Sequence, residues 1–147
     1  MSSPAPSAGD VRPLIGISMG DPLGVGPEVL VKALADPLLR ARARFVLFGL
    51  EEILAVAADQ AEINPFWWRE PYEGHVRVGT GVLLADFDEL PPVRANGVHG
   101  PDPLAGHASF RFVEEGARHL RSGALDGLVT GPICKQSWHL ANHRFYG

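Results

Sequence analysis

A chain of 147 residues is long enough for one domain with a hydrophobic core of its own. Apolar residues make up 46% and charged residues 20%, the balance of a globular protein rather than a low-complexity chain. The net charge of −4 and the lack of a basic run exclude a nucleic-acid surface, which needs clustered Lys and Arg to neutralise phosphate. Cys134 is the single cysteine, so no intrachain disulfide can form, and the usage suits a reducing cytoplasm. No apolar run approaches the length of a membrane span.

In chain order, residues 1–12 are rich in Ser, Pro, Ala and Gly and read as a disordered lead-in without the apolar core of a secretory signal. "LIGIS", 14–18, reads as a buried strand. The loop "MGDPLGVG" follows, and Pro27, Glu28 and the apolar spacing of Val31, Leu34, Ala35 and Leu38 predict an amphipathic helix over 27–40. The basic cluster "RARAR", 40–44, then falls at a helix end, where cations complement the dipole. "RFVLFGL", 44–50, predicts a strand and 51–60 a helix.

The middle is less regular. "INPFWWREPYEG" is aromatic and broken by proline, and its Phe66, Trp67 and Trp68 suit either an interface patch or core packing. Short strands are predicted at 75–79 and 82–87, with turn signals at Asn96-Gly97 and Pro101-Asp102. Order returns with a helix over 104–122 stopped by Gly123, a strand over 125–131 broken by Pro132, and a helix over 133–142. The alternation predicts an α/β layer fold with a largely parallel sheet.

Two segments carry candidate chemistry. The first is Ser18–Leu34, where a strand feeds a glycine-rich turn and a helix N-terminus, an arrangement that can hold an anion. Asp21, Gly24, Gly26 and Glu28 shape it. It lacks the Gly-Lys-Ser/Thr of a P-loop and the third glycine of the dinucleotide fingerprint, and Asp21 and Glu28 repel phosphate unless a cation intervenes. Ligand loop and purely structural turn therefore both remain open. The second is "VTGPICK", 129–135, a strand end beyond which ligands gather in open α/β sheets. Thr130 and Lys135 are its candidates, Lys135 either as a point charge for phosphate or carboxylate or as an ordinary solvated lysine. His139 and His143, four apart, are a weak zinc signal without a third ligand, and a solvated helix end is the better reading. Cys134 reads as a small buried residue rather than a reactive thiol.

Taken together, "GDPLGVGPE", 20–28, and the stretch 105–147 with Asp126, Thr130, Gly131, Pro132 and Lys135 resemble the 4-hydroxythreonine-4-phosphate dehydrogenase family of pyridoxal phosphate biosynthesis. The resemblance runs in order from about Leu14 to Gly147. It implies an isocitrate/isopropylmalate-dehydrogenase-like α/β/α sandwich, here its N-terminal portion, with 13–147 as a truncated dehydrogenase domain. It further implies NAD or NADP, a divalent metal (Zn, Mg or Co), a phosphorylated substrate, a homodimer, and oxidation with decarboxylation of 4-phosphooxy-L-threonine. Related enzymes take threonate or erythronate 4-phosphate. The family's substrate-contacting Gly-His-Thr-Glu run would begin at Gly147, and its metal-binding histidines lie further on, so the chain by itself is expected to be inactive. The alternative is a non-catalytic module binding a phosphate or a partner, with an unrelated phosphate-binding α/β domain as the weakest reading. The two glycine-proline segments are expected to face one cleft.

Overall fold

A computed structural model describes residues 9–93 and 100–144. Five strands form one parallel sheet: β1 (Leu14–Ser18), β2 (Arg44–Gly49), β3 (Trp67–Pro71), β4 (Val82–Asp86) and β5 (Gly127–Thr130). Their order is β3-β4-β2-β1-β5. The helices are α1 (Gly26–Leu34), α2 (Pro37–Arg42), α3 (Glu51–Gln60), α4 (Pro103–Arg121) and α5 (Lys135–Leu140). The fold is thus α/β with a parallel sheet.

Topology assigns the faces. The connections through α1, α2 and α3 step toward the β3 edge, whereas the one through α4 steps back across β2 and β1 to β5. Right-handed crossovers in opposite directions put their helices on opposite faces. Accordingly α1 packs on α3, while α4 lies against β1, β2 and β5 and carries α5. Every residue of β4 is buried, as a parallel strand covered on both faces must be. Phe48, Phe87, Phe112, Leu54 and Val82 lie at the centre of the core.

Several predicted elements need correction. The helix expected over 27–40 is two helices, because Asp36 caps α2 through the Leu38 N–H at 2.8 Å and Pro37 cannot continue the α1 ladder. No strand forms at 75–79. The third strand in the chain is instead Trp67–Pro71, and residues 72–81 run back as a strap from the end of β3 to the start of β4. Val76 and Val78 turn inward from that strap, which explains their alternation without any ladder. The strand expected over 125–131 is Gly127–Thr130, and the helix expected over 133–142 is Lys135–Leu140. Phe66, Trp67 and Trp68 pack against the core, and the Trp67 indole N–H donates to Glu51 at 2.8 Å. The Asn96-Gly97 turn signal and Gly147 lie outside the described residues. Among the described residues no helix is long and apolar enough to cross a membrane.

Candidate functional site

β1 and β5 are adjacent, with Ser18 opposite Thr130 at their carboxyl ends. From there the chain turns to opposite faces, from β1 into α1 and from β5 into α5. That is a topological switch point, where open α/β sheets leave a crevice for ligands.

The loops after β1 and β5 interlock through backbone. Asp21 N–H donates to the Pro132 carbonyl at 2.8 Å, and Gly131 N–H donates to the Ser18 carbonyl at 2.8 Å. Gly20 has φ +81, and a Cβ there would run into the Pro132 carbonyl oxygen. A Cβ at Gly26 or Gly131 would meet the Met19 carbonyl oxygen in the same way. The loops therefore approach each other more closely than side chains would allow.

Asp21 is half-buried. One of its carboxylate oxygens accepts from Leu23 N–H at 2.9 Å, while its carbonyl accepts from Gly24 N–H at 3.0 Å. Burial pushes its carboxyl above the usual range against that N–H bond, and Asp102 adds to the rise. Asp102 caps α4 through Ala105 N–H at 2.8 Å, and its own N–H donates to the Ser137 hydroxyl at 3.0 Å. The starts of α4 and α5 are thereby joined beside the first loop. Sequence reasoning treated Asp102 only as a turn residue. Its signal was legible, since Asp followed by Pro at the head of a helical pattern is a cap with proline in the first turn.

The remaining candidates divide. Thr130 is exposed at the end of β5, and Lys135 is exposed at the first position of α5. Gly24 and Glu28 face away from the second loop, onto a groove of about 410 Å³ between α1 and α3 that Val56 and Gln60 also line. Glu28 pairs with Lys32 at 2.5 Å, so its charge is compensated within α1. Gly24 has room for a Cβ, at ordinary contact with Asp21, and so does not carry the close approach that Gly20, Gly26 and Gly131 carry. The N-terminus of α1 has no side-chain cap, and Pro27 in its first turn has no N–H to leave unsatisfied.

A second cavity of about 360 Å³ opens at the ends of β2 and β4. Three of the charges that line it are committed to the fold: Asp86 accepts from Glu51 N–H at 2.9 Å and from Arg69 Nε at 2.7 Å, and Arg69 also reaches Asp88 at 2.8 Å. His143 does not join His139. Its Nε2 lies 3.0 Å from His107 Nδ1 and its ring stacks on Phe110 at 3.8 Å. Among the described residues no three His, Cys, Asp or Glu side chains come together as a metal site.

A parallel α/β protein with glycine-built loops at its switch point is the class that fold and site define. The family described as "Pyridoxal phosphate biosynthetic protein PdxA" matches residues 41–147, and the chain belongs to that family. A D-threonate 4-phosphate dehydrogenase of Cupriavidus necator is 34% identical over 141 residues, covering 94% of this chain and 41% of the relative. A 4-hydroxythreonine-4-phosphate dehydrogenase of Synechococcus sp. is 29% identical over 136 residues, covering 92% of this chain and 38% of the relative. The crystal structure of a 4-hydroxythreonine-4-phosphate dehydrogenase from Burkholderia phymatum superposes with a TM-score of 0.80 at 28% identity, covering 94% of this chain and 42% of that one. The chain spans about two-fifths of the length of the relatives it matches.

Proposed function

We propose that this chain forms the N-terminal part of a nicotinamide-dependent dehydrogenase that oxidises a hydroxyl of a four-carbon, 4-phosphorylated hydroxy acid, 4-phosphooxy-L-threonine in the first reading. The observation that carries the proposal is the backbone interlock of the loops after β1 and β5 at the switch point. The names of the relatives agree on a phosphorylated acid as substrate. The higher identity to the D-threonate 4-phosphate enzyme supports D-threonate 4-phosphate as a second reading.

In this proposal the uncapped N-terminus of α1 and the Lys135 ammonium attract the anionic ends of the substrate. Gly20, Gly26 and Gly131 let the backbone close around it, and Asp102 fixes α4 and α5 relative to the first loop. A bound NAD or NADP would supply the hydride acceptor. In this proposal the chain by itself binds the substrate without turning it over.

The test uses the 147-residue chain with D-threonate 4-phosphate and 4-phosphooxy-L-threonine in turn, each with NAD or NADP and a divalent metal. Saturable amide shift changes confined to residues 19–28 and 130–135, without NADH or NADPH formation, are expected. No perturbation of those loops by either compound would overturn the binding role. Steady cofactor reduction by the chain alone would overturn its silence.

A further inference from the structure

Lys135 stands at the first position of α5, and α5 has only 6 residues, too few to hold their shape unaided in water. The point from which its side chain leaves is therefore set by what the flanking residues are tied to. Three residues before it, the Pro132 carbonyl accepts from Asp21 N–H at 2.8 Å, within the loop interlock. Three residues after it, Trp138 is buried against the N-terminal half of α4. There Gly106 and Ser137 meet backbone to backbone, since a Cβ on Gly106 would lie 2.0 Å from the Ser137 carbonyl oxygen. The Trp138 indole N–H donates to the Ser109 hydroxyl at 2.9 Å, and that hydroxyl donates onward to the Gly106 carbonyl at 3.2 Å. The Phe110 ring packs across the indole at 5.2 Å in a T-shaped contact. Ser109 is fully buried, so it cannot touch a ligand in the crevice.

We propose that Ser109 is a positioning residue for the Lys135 ammonium and acts through the Trp138 indole. Alanine would satisfy the packing at 109 as well as serine does, but only the hydroxyl offers the indole an acceptor. A buried indole N–H without a partner is costly, so Trp138 keeps the rotamer and depth that reach Ser109. Residues three apart on a helix are neighbours, so the turn that holds Trp138 also holds Lys135. With Pro132 fixed on one side and Trp138 on the other, the lysine stem leaves from a fixed point. The ammonium then loses less freedom when it meets an anion. The proposal rests on the reading of Lys135 as the cation that meets an anionic end of the substrate.

Inorganic phosphate titrated into the 147-residue chain, followed by the amide shifts of residues 130–135, tests it. Ser109→Ala and Trp138→Phe should each raise the dissociation constant about fivefold, the size of one neutral hydrogen bond. The double variant leaves no orphaned donor and should be no worse than either single one. In a Lys135→Ala background neither substitution should weaken binding further, a result that a merely structural role would not give. A loss that persists without Lys135, or no loss at all, overturns the positioning role and leaves the anion site standing. A parent chain that binds no phosphate overturns the anion site instead, and hydrogen exchange then decides the positioning role by itself. Ser109→Ala should speed exchange about tenfold at the Trp138 and Ala141 amides, whose bonds close α5, and leave the α3 amides unchanged. Unchanged protection of α5 overturns the role.

Discussion

The β1–β5 loops and the cluster around Tyr72 both tie together segments far apart in the chain, but from opposite materials. The loops are joined by backbone N–H and C=O groups through glycines. The cluster is joined by side chains: the Tyr72 hydroxyl donates to Glu115, accepts from Arg118 Nη2 at 2.7 Å and lies 3.0 Å from His119 Nε2. Arg118 also holds the strap through the Gly74 carbonyl at 2.7 Å. His119 is buried and stacks on Phe48, while Tyr72 stacks on Phe87 at 4.5 Å. A backbone joint admits almost no substitution and has few charges to titrate. A side-chain joint tolerates partial loss, but its strength depends on protonation.

The largest effect should come from Gly20→Ala, where a positive φ and the Pro132 carbonyl both oppose a Cβ. A loss of roughly 3 kcal/mol or more is expected in thermal unfolding. Gly24→Ala, with room for its Cβ, should stay within about 0.5 kcal/mol. Equal losses at the two glycines would break the claim that the interlock lies at Gly20.

Tyr72→Phe should cost ~1–3 kcal/mol in urea denaturation, because Glu115, Arg118 and His119 all lose their shared partner. Burial pushes the Tyr72 hydroxyl up to about 12, and its bond to Glu115 adds to the rise, so it remains a donor throughout the neutral range. Burial also acts to raise Glu115, but the bonds from Tyr72 and Arg118 outweigh it and hold that carboxyl below its usual value.

Acid should separate the two regions by sign. Burial, and then the Arg118 charge, lower His119 in the folded chain. The folded state therefore binds fewer protons there than the unfolded state. The stability this neutral histidine supports is fully present above the unfolded value of about 6.5 and is lost as pH falls below it. Asp21 runs the other way: its raised value means that its protonated form favours the fold, so its contribution grows as pH falls through the folded value toward the unfolded one and is lost as pH rises again. Urea midpoints measured between pH 8 and 4 should fall below about pH 6.5. His119→Gln should flatten that limb, and Asp21→Asn should change only the more acidic one. The smallest effect is that of Lys135→Ala, within about 0.5 kcal/mol on stability because the side chain is exposed. Phosphate binding at the loops should nevertheless weaken, as a titration followed by amide shifts would report.

What could be seen in the sequence divides along the same line. β1, β2, α3 and α4 were legible to within about a residue, because burial writes a local period into each. The break at Asp36-Pro37 was also written there, as a cap and a first-turn proline, but the continuing apolar spacing of Leu38 concealed it. β3 was not legible. An edge strand reading Trp-Trp-Arg-Glu-Pro has no alternation, whereas the strap's His-Val-Arg-Val does, since Val76 and Val78 reach the core without pairing. Of the candidate residues, Asp21 and Gly26 lie between β1 and the start of α1, and Thr130 and Lys135 at the end of β5 and the start of α5. Gly20 was overlooked because its need for glycine comes from Pro132, near the other end of the chain, and no local pattern records that approach.

β1 reaches its two neighbours at very different times during synthesis. Its ladder to β2 closes across a single crossover through α1 and α2, but the Leu14–Asp126 bond spans 112 residues. At a ribosomal pace of roughly 5–20 residues per second, β1 waits on the order of 10 s for β5 to emerge. For that interval one side of β1 is an open template, available to a chaperone or to a neighbouring nascent chain. The order in which the chain is made, and not only the order in which its strands lie, determines how long the molecule is vulnerable.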